Sequence, residues 1–493
     1  MLYIWKVEYS NYITMSGFTS ARILLLNEKE KNMSLKLFNT LTRKKEEFKP
    51  LDEKEIKMYS CGPTVYYFAH IGNLRAYLFM DNLRRVLKYN GYNLKHVMNI
   101  TDVGHLVSDA DEGEDKMMKA AKRENKNPYE IAEFYMNAFL ADINKLNIDR
   151  PEIVARATEH IDVMEEYVKK IIENGYSYQT EDTVYFDTSK LDKYGVLSNR
   201  NVDDQKAGAR VEFDTNKKNI SDFAIWIKAP ENHIMKWDTF FGKAYPGWHL
   251  ECSAMGYKYL GEQFDIHTGG VDHIPIHHEN EIAQSKGFSG KVPANYWMHV
   301  EFLQINGGKM SKSLNNLYTL KDLDEKGYEP LVYRMFNFTS NYRAQINFTF
   351  EAMDAAKVAL NRLREGYLKH AEGIEDVLDS EIQDYENRFL EAINDDLNMP
   401  VAMSVVWDVV KNSKKSKKLQ NLLLKFDEVL GLDLKNYEKQ ENVLPEEITN
   451  LIQARNEARS NKNWAESDRI RDILIEKGYT VKDSKEGTIV EKQ

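Results

Sequence analysis

Two segments of the chain carry residue types suited to holding a polyphosphate. The first is Pro63-Thr-Val-Tyr-Tyr-Phe-Ala-His-Ile-Gly-Asn73. Its His70 and Asn73 lie three residues apart, so on the first turn of a helix they project from one face. Such a turn offers free backbone N–H groups to a phosphate, and Gly72 would let a ligand approach the backbone closely. Taken alone, the segment fits an ordinary helix-terminal histidine equally well.

The second segment is Gly307-Gly-Lys-Met-Ser-Lys-Ser-Leu314. Lys309 and Lys312 lie three residues apart behind a flexible Gly-Gly entry, and each lysine would bring a point charge to a polyphosphate. A solvated basic loop is the alternative for this segment by itself. Because both segments occur in one chain, separated by the rest of a nucleotide-binding domain, together they favour nucleotide binding.

The elements around the first segment form a strand–helix–strand unit. Residues 55–60 alternate in polarity as a strand does, and the next four residues are typical of a turn. Residues 70–89 carry apolar side chains at mainly helical spacing, Gly91 fits the stop, and residues 94–100 again indicate a strand. Parallel strands need such a helical crossover, so the pattern predicts a parallel sheet.

The predicted secondary structure of the rest of the chain changes from region to region. Residues 113–176 are expected to be helical, and residues 177–247 to form an insertion of short strands and turns in the sheet domain. Helical spacing begins near Glu351 and continues to about 436, which predicts a bundle. Beyond it we expect two short helices, the second capped by Asn463, and a terminal hairpin of residues 479–481 with 488–490.

The composition excludes several classes of protein. The chain has 493 residues, 42% of them hydrophobic, which suggests about three domains with sizeable cores. A formal net charge of −10 excludes a small basic nucleic-acid module, though not a local basic face. Only Cys61 and Cys252 are cysteines, which rules out a disulfide scaffold and favours a cytosolic protein. No run approaches the roughly 18 apolar residues of a membrane span.

Three further segments carry a specific family resemblance, and they are Cys61-Gly-Pro-Thr-Val-Tyr66, Pro246-Gly-Trp-His-Leu-Glu-Cys-Ser-Ala-Met255 and His277-His-Glu-Asn-Glu-Ile-Ala-Gln284. The two phosphate-binding segments look like the signature motifs of class I aminoacyl-tRNA synthetases, and all five together closely resemble the cysteinyl-tRNA synthetase family. The resemblance runs from about Met33 to the C-terminus. Asn73, Thr268 and Asn315 depart from the commonest family residues. Asn73 still donates hydrogen bonds, and Asn315 tolerates the left-handed conformation of the usual glycine.

The resemblance implies a zinc site held by Cys61, Cys252, His277 and Glu281. His277 and Glu281 are four residues apart and would share a helix face, whereas His278 competes for the imidazole role but is only three residues from Glu281. Two thiolates, an imidazole and a carboxylate suit Zn²⁺. Without the resemblance, two buried free thiols would be the alternative, since no short Cys-x-x-Cys exists.

By the same resemblance, Trp248 and His267 line the cysteine pocket, with plain core packing as the alternative for Trp248. A zinc ion there would bind the substrate's thiolate and reject the harder, less acidic hydroxyl of serine. A hydrocarbon pocket separates near-isosteres poorly. A hydrolytic editing domain would therefore be unnecessary, and the 177–247 insertion looks too small and irregular for one.

The reaction that the resemblance implies has two steps. The cysteine carboxylate attacks the α-phosphate of ATP, and a terminal ribose hydroxyl of the tRNA then takes the acyl group. His70 and Asn73 would hold the triphosphate, Mg²⁺ would accompany ATP, and the two lysines would stabilise the charge on pyrophosphate. Asp272 is expected to accept bonds from the ribose, with a turn-forming aspartate as the alternative. The residues expected to bind ATP are Thr64, His70, Gly72, Asn73, Gly270, Asp272, Lys309 and Lys312.

We therefore expect an α/β protein with a Rossmann-like parallel-sheet catalytic domain. Residues 1–32 have no family counterpart that we recognise and are expected to be a disordered, dispensable extension. The remaining expected regions are the catalytic domain at 33–350 (insertion about 177–247, lysine loop 307–316), a tRNA-binding helical bundle at 351–440 and an anticodon-binding region at 441–493.

Local charge reconciles a net charge of −10 with a tRNA partner. Residues 411–425 contain six lysines and no acid, and a second basic group lies near the C-terminus. Both are expected to contact phosphates of the anticodon arm, with solvated helix faces as the alternative. Trp464 would stack on a base or, as the favoured interpretation, pack in a core. The C-terminal basic group is Arg455, Arg459, Lys462, Arg469 and Arg471.

Two other functions fit part of the pattern. A cysteine ligase would form the same adenylate and transfer it to an amino sugar, but such relatives lack a full anticodon-binding tail. A non-catalytic zinc-containing RNA-binding relative should have lost signature residues that this chain retains. We expect a cytoplasmic monomer that acts on cysteine, ATP and tRNA and does not associate with membranes.

Overall fold

The computed structural model describes residues 34–104, 116–199, 216–308, 310, 316–438, 445–484 and 487–492. The chain forms two compact units, residues 1–435 and residues 436–493. The predicted extension 1–32 lies outside the described residues, and so do Lys309 and Lys312. Among the helices of the described ranges, none is both long enough and apolar enough to cross a membrane.

The first unit is a mixture of strands and helices. Its strands are β1 (Lys36–Asn39), β2 (Lys44–Glu47), β3 (Ile56–Ser60), β4 (Leu94–Ile100), β5 (Ile153–Arg156), β6 (Ser177–Gln179), β7 (Thr183–Phe186), β8 (Phe223–Lys228), β9 (Trp237–Thr239), β10 (Gly242–Pro246), β11 (Phe264–Gly270), β12 (Ala294–Val300), β13 (Leu303–Ile305) and β14 (Ile346–Phe348). Its α-helices are α1 (Ile71–Tyr89), α2 (Lys116–Glu124), α3 (Pro128–Lys145), α4 (Ile161–Glu173), α5 (Trp248–Leu260), α6 (His277–Ser289), α7 (Leu320–Glu325), α8 (Pro330–Asn337), α9 (Phe350–Ala371), α10 (Asp379–Asn394), α11 (Met399–Lys411) and α12 (Lys417–Leu430).

Five parallel strands form the central sheet, in the order β12-β11-β3-β4-β5. Their side chains are mostly buried, as is usual for parallel strands whose crossovers cover the sheet faces. The carboxyl ends of the strands meet at one edge, where Ser60, Ile100, Gly270 and Val300 end four of them. Ligands of open parallel sheets bind at this edge. The parallel-sheet α/β class predicted from the sequence is confirmed.

The predicted strand–helix–strand unit is present as β3, α1 and β4. Helix α1 begins directly after His70, which serves as its N-cap, and ends at Tyr89. Gly91 lies just beyond the helix end and has a φ of 87°, a backbone conformation that residues other than glycine rarely adopt. Residues 61–70 connect the carboxyl end of β3 to the start of α1, so this start lies at the carboxyl edge of the sheet.

Two segments differ from the sequence-based expectation. The predicted helical run 113–176 is interrupted by β5, whose four residues are too few to show a period of two. The short strands predicted in the insertion are present, but they pair in one regular antiparallel sheet in the order β6-β7-β8-β10-β9, whereas an irregular arrangement was expected. Its strands are three to six residues long, so their alternation does not stand out in the sequence.

The predicted helical texture from Glu351 corresponds to α9 through α12. Their buried contacts are mainly apolar, and the rings of Phe389 and Phe426 stack with centroids 4.0 Å apart. Both rings are fully buried. At about 25 cal/mol per Å² of apolar surface, such burial is what stabilises helices of this kind.

The buried Arg334 in α8 fastens α1 to the rest of the first unit. Its guanidinium pairs with Asp81 of α1 and donates to the carbonyl oxygens of Leu430 and, at 3.0 Å, Leu146. Burial alone would raise the pKa of Asp81, but Arg334 and Arg85 outweigh it and hold the pKa below its usual value. The carboxylate is therefore charged at neutral pH. The contacts of Arg334 hold in place the helix whose first turn carries His70 and Asn73.

The second unit contains α13 (Glu446–Ser460), α14 (Trp464–Glu476), β15 (Tyr479–Ser484) and β16 (Gly487–Lys492). The two strands pair antiparallel, which confirms the predicted hairpin. Asn463 caps α14 by accepting a hydrogen bond from the backbone N–H of Glu466, also as predicted.

Two expectations about this unit are wrong. Trp464 is 57% exposed, because it is the first residue of α14 and the core of this unit is formed by other side chains, among them Ile448, Ile470 and Leu474. Arg455 is buried, and its guanidinium donates to the carboxylate of Asp483 and the hydroxyl of Thr488. It therefore holds the hairpin against α13 and does not face a phosphate, whereas Arg459 pairs with the same Asp483 from the surface.

Candidate active site and metal centre

His70 and Asn73 cap the start of α1 reciprocally. The His70 ring accepts a hydrogen bond from the backbone N–H of Asn73, and the Asn73 side chain accepts one from the backbone N–H of His70. A Cβ on Gly72 would lie 3.1 Å from the His70 ring, so glycine here leaves room for that ring. The predicted placement of both side chains on one turn is confirmed, and the turn faces the carboxyl edge of the sheet.

The segment that follows the lysine loop runs beside this turn. Tyr318 accepts a hydrogen bond of 2.8 Å from the backbone N–H of Ile71, and Thr319 forms an isolated bridge with His70. Met310, which stands between the two predicted lysines in the sequence, has its methyl group 3.4 Å from the position of a Cβ on Gly72. The described ends of the loop therefore converge on the first phosphate-binding segment.

Cys61, Cys252, His277 and Glu281 meet in one buried cluster. Their ligand atoms all lie within 4.8 Å of one another. The two sulfurs are 3.9 Å apart, the Cys252 Sγ is 3.5 Å from the His277 Nε2, and that nitrogen is 3.2 Å from the Glu281 Oε1. Cys61 directly follows β3, Cys252 lies in α5 and the other two lie in α6, so three elements bring the set together.

His278 reaches the same cluster from the other side. Its Nε2 is 3.2 Å from the Cys61 Sγ and its Nδ1 is 2.8 Å from the Nε2 of His299. Cys61, His267, His278 and Glu281 thus form a second compact set of possible metal ligands. Spacing along the helix does not separate the two histidines, since both reach a sulfur and Glu281. The first set differs in that it contains the second thiol, that of Cys252. In addition, His249 Nδ1 lies 2.8 Å from His277 Nδ1, a contact that orients the His277 imidazole.

Burial shifts the pKa values of the thiols and of His278 in this cluster toward their neutral forms. Burial, then the hydrogen bond with Cys252, raises the pKa of the Cys61 thiol well above its usual value. Burial likewise raises the pKa of the Cys252 thiol, and it lowers the pKa of His278 far below its usual value. A bound divalent cation would lower the pKa of both thiols, because it stabilises thiolates, and the neutral form of His278 is already the one that binds a cation. The donor set, its compactness and its burial all fit a borderline-soft metal ion.

Both residues predicted to line the amino-acid pocket lie against this cluster. His267 is fully buried, with its Nε2 2.8 Å from the Glu281 Oε2 and its Nδ1 without a hydrogen-bond partner among the described residues. Trp248 is half-buried, and its ring centroid is 4.4 Å from that of His277. Plain core packing therefore does not describe Trp248, which borders the candidate metal ligands.

The residues predicted to bind ATP from the other strands lie at the same edge. Thr64 bridges Thr101 in the loop that follows β3. Gly270 ends β11, and a Cβ on it would lie 2.2 Å from the carboxylate of Asp272, which is exposed and folds back over the chain. Gly269 is required for a reason that the sequence does not reveal: a Cβ there would lie 2.5 Å from the ring of His273.

Comparisons with known proteins agree with this geometry. The tRNA synthetases class I (C) catalytic domain family matches residues 47–358, the DALR domain family matches residues 388–435, and the cysteinyl-tRNA ligase anticodon binding domain family matches residues 441–490. The cysteine–tRNA ligase of Treponema denticola is 45% identical over 92% of this chain and 98% of its own length. The chain belongs to the cysteine–tRNA ligase family. A second relative, the cysteine–tRNA ligase of Borrelia hermsii, is 42% identical over 93% of this chain and all of its own.

The fold comparison places this family member among the class I synthetases. A solved structure of Mycobacterium tuberculosis methionyl-tRNA synthetase in complex with methionyl-adenylate superposes with a TM-score of 0.52. It covers 77% of this chain and 90% of the other, with 14% sequence identity. The likeness at this identity concerns the fold, and it confirms the predicted class I architecture of the catalytic unit.

A buried polar chain that sequence reasoning missed joins the two cysteine-bearing elements of this family member. The backbone N–H of Gly62 donates to Asn99, the Asn99 amide donates to the Thr101 hydroxyl, and that hydroxyl donates to Glu251 at 2.7 Å. Gly62 and Glu251 are the direct neighbours of Cys61 and Cys252. This series of hydrogen bonds therefore links the backbone next to Cys61 to the helix that contains Cys252. Partners about 150 residues apart leave no local signal in a single sequence.

Glu279 is a second residue that the sequence analysis left without a role. Its buried carboxylate accepts four backbone N–H groups, from residues 195 to 198, at 2.9–3.0 Å. The next residue, Asn280, accepts a hydrogen bond of 2.6 Å from the Tyr194 hydroxyl. Both belong to the helix that carries His277 and Glu281, so the insertion is clamped to the first turns of α6. The signal available in the sequence was an acidic residue inside an otherwise ligand-bearing motif.

Exchange of Glu279 for glutamine is expected to destabilise the catalytic unit by at least about 2 kcal/mol. The amide NH₂ would replace one oxygen and leave two buried N–H donors unpaired, at about 1–3 kcal/mol each. The urea-unfolding midpoint, followed by tryptophan fluorescence, measures the effect. Glu262→Gln is the matched control, since Glu262 is exposed and its one ion pair in the described part of the chain is a surface pair with Lys291. A Glu279→Gln protein as stable as this control would contradict the role of the clamp.

Proposed function

We propose that this protein ligates cysteine to its tRNA through a cysteinyl-adenylate, consuming ATP and releasing AMP and pyrophosphate. The observation that carries the proposal is the juxtaposition of two features at the carboxyl edge of the sheet. One is the buried Cys61–Cys252–His277–Glu281 cluster, and the other is the turn that carries His70 and Asn73. The named relatives are cysteine–tRNA ligases, and the chain spans nearly their whole length.

We propose that the cluster holds one zinc ion. Cys61, Cys252, His277 and Glu281 would be its ligands, because this set contains both soft thiols of the chain. When bound, the ion would supply a soft Lewis-acid contact for the thiol of the substrate and so favour cysteine over serine. Trp248 would bound the pocket beside His277, and the unpaired Nδ1 of His267 would offer the substrate a hydrogen bond.

Adenylate formation requires positioning and charge stabilisation from the chain itself. His70 and Asn73 would orient the triphosphate at the start of α1, where backbone N–H groups also favour anions. Lys309 and Lys312 would neutralise the charge that develops on pyrophosphate, with Mg²⁺ accompanying ATP. The carboxylate of cysteine attacks the α-phosphorus, and the bond to pyrophosphate breaks. The remaining proposed ATP contacts are Thr64, Gly72, Gly270 and Asp272.

We propose that the bundle and the C-terminal unit bind tRNA. The match of residues 441–490 to an anticodon binding domain family supports this, as does the exposure of Trp464 and Arg459. Arg455 is excluded from the set of phosphate contacts by its burial. A monomeric, cytoplasmic enzyme remains our proposal for its assembly and location.

Two measurements on the purified protein test the proposed function. Cysteine-dependent exchange of pyrophosphate into ATP reports the first step, and transfer of labelled cysteine to tRNA reports the second. Exchange without transfer to tRNA, but with transfer to an amino sugar, would favour the related cysteine ligase. Absence of both reactions in a folded, zinc-loaded protein, together with RNA binding, would favour the non-catalytic alternative.

A further inference from the structure

A cluster of aromatic side chains stands exposed beside the start of α1. Tyr67 and Phe68 in the loop before α1 are 44% and 40% exposed, and Phe134 in α3 is 47% exposed. The Phe68 ring lies 6.0 Å from that of Phe134 and 5.0 Å from that of the buried Tyr135. Tyr129, 39% exposed, lies five residues before Phe134 in the same helix. Contiguous exposed aromatic surface of this kind marks a binding site more often than an accident of packing.

Cations border the aromatic cluster. The Arg123 guanidinium lies 5.0 Å from the centroid of Tyr67, and the Lys126 ammonium lies 4.9 Å from that of Phe134. Residues 116–127 contain five lysines and arginines and one acid, Glu124. That acid is engaged locally with Arg123 and the Tyr135 hydroxyl. Stacking faces beside cationic side chains are the combination that binds single-stranded nucleic acid.

The position of the cluster relates it to the reaction. Phe68 lies two residues before His70, so their Cα atoms are at most about 7.6 Å apart. The Arg123 guanidinium donates to the carbonyl oxygen of Tyr66 at 3.3 Å, which ties α2 to the same loop. In the proposed function, a terminal ribose hydroxyl of the tRNA must reach the adenylate beside this loop. The unpaired nucleotides that precede this ribose must then pass over the surface around the loop, where the aromatic cluster lies.

We propose that Tyr67, Phe68 and Phe134 stack on bases of the single-stranded 3′ end of the tRNA, with Lys126 and its neighbours contacting the phosphates. This inference rests on the proposed function and names the surface that guides the tRNA end to the site. A second copy of the chain is the less suitable occupant, because self-association would bring two groups of five cations together.

The variant Phe134→Ala tests the surface, because this side chain is exposed on α3 and is not among the residues proposed to bind ATP, cysteine or the metal ion. Cysteine-dependent pyrophosphate exchange should stay within about twofold of the wild type, while kcat/KM for tRNA in charging should fall about tenfold or more. Phe134→Tyr retains a stacking face and should restore charging. Phe240→Ala is the matched control, since Phe240 is 38% exposed with the Lys169 ammonium 5.7 Å from its centroid.

Binding of a tRNA that lacks its unpaired 3′ nucleotides distinguishes the contact with the 3′ end from contacts elsewhere on the tRNA. Wild-type protein should bind the shortened tRNA more weakly than the full-length one, and Phe134→Ala should bind the two alike. Equal loss on both tRNAs, an equal effect of Phe240→Ala, or a dimer that Phe134→Ala converts to a monomer in light scattering would each overturn the proposal. These binding measurements need no catalysis, so a wild type that fails both reactions refutes the proposed function and still leaves the surface testable.

Discussion

Replacement of Cys252 by serine is expected to remove the metal and to lower kcat/KM for cysteine by about a hundredfold or more. The substitution takes away one of two sulfur ligands and leaves a harder oxygen, and loss of even a supporting partner of a metal ligand costs about 10–100-fold in metal affinity. The affinity for ATP should change little, because its proposed contacts lie on other segments. Metal content by mass spectrometry and the KM for each substrate in pyrophosphate exchange measure these effects.

Ser253→Ala is the matched control for this substitution. Ser253 lies one residue further along the same helix, and its hydroxyl donates to Gln284 and not to the cluster. It should keep one zinc per chain. An exchange reaction that is unchanged in Cys252→Ser, or a wild-type protein active on cysteine and free of zinc when purified without chelators, would contradict the proposed metal centre.

Replacement of Lys312 by alanine is expected to slow adenylate formation by about a hundredfold or more. Pyrophosphate gains negative charge as its bond to the α-phosphorus breaks, so a lysine aimed at it is worth more in the transition state than in the ground state. Transfer from preformed adenylate to tRNA should be less affected, because pyrophosphate has already left. Cysteine affinity should barely change, since the amino-acid pocket is formed by other segments.

Single-turnover kinetics of the two steps measure this prediction. Lys321→Ala is the matched control, because Lys321 is an exposed lysine of the following helix whose one ion pair among the described residues is with Glu325. Equal slowing of both steps by Lys312→Ala, or a defect confined to cysteine binding, would show that the loop acts differently from our proposal.

The histidines around the candidate metal site explain why its ligands are difficult to predict from spacing alone. His249, His267, His278 and His299 all contact a proposed ligand or one another within the buried site. Each imidazole can serve as ligand or as supporting partner, and that choice depends on which atoms surround it. The same burial that raises the pKa of both thiols keeps water out, so a cation bound there would interact strongly with its ligands.

The sequence by itself determined the α/β class, the strand–helix–strand unit at 56–100, the helical bundle and the terminal hairpin. These features depend on local periodicity, caps and turns, which a single chain displays. Its long, specific motifs also identified the family, and that resemblance implied four residues that lie together in the buried candidate metal site. The sequence did not predict β5 or the pairing of the insertion's short strands into one regular sheet, because three to six residues show too little alternation.

Only the tertiary structure decided the partners of residues that are distant in sequence. It shows Glu279 accepting four N–H groups more than 80 residues away, and Phe68 meeting Phe134 on an exposed surface. It also shows Trp464 exposed and Arg455 buried, the reverse of what their residue types suggest. Burial and hydrogen bonding depend on distances between remote segments, and local sequence patterns carry no information about those distances.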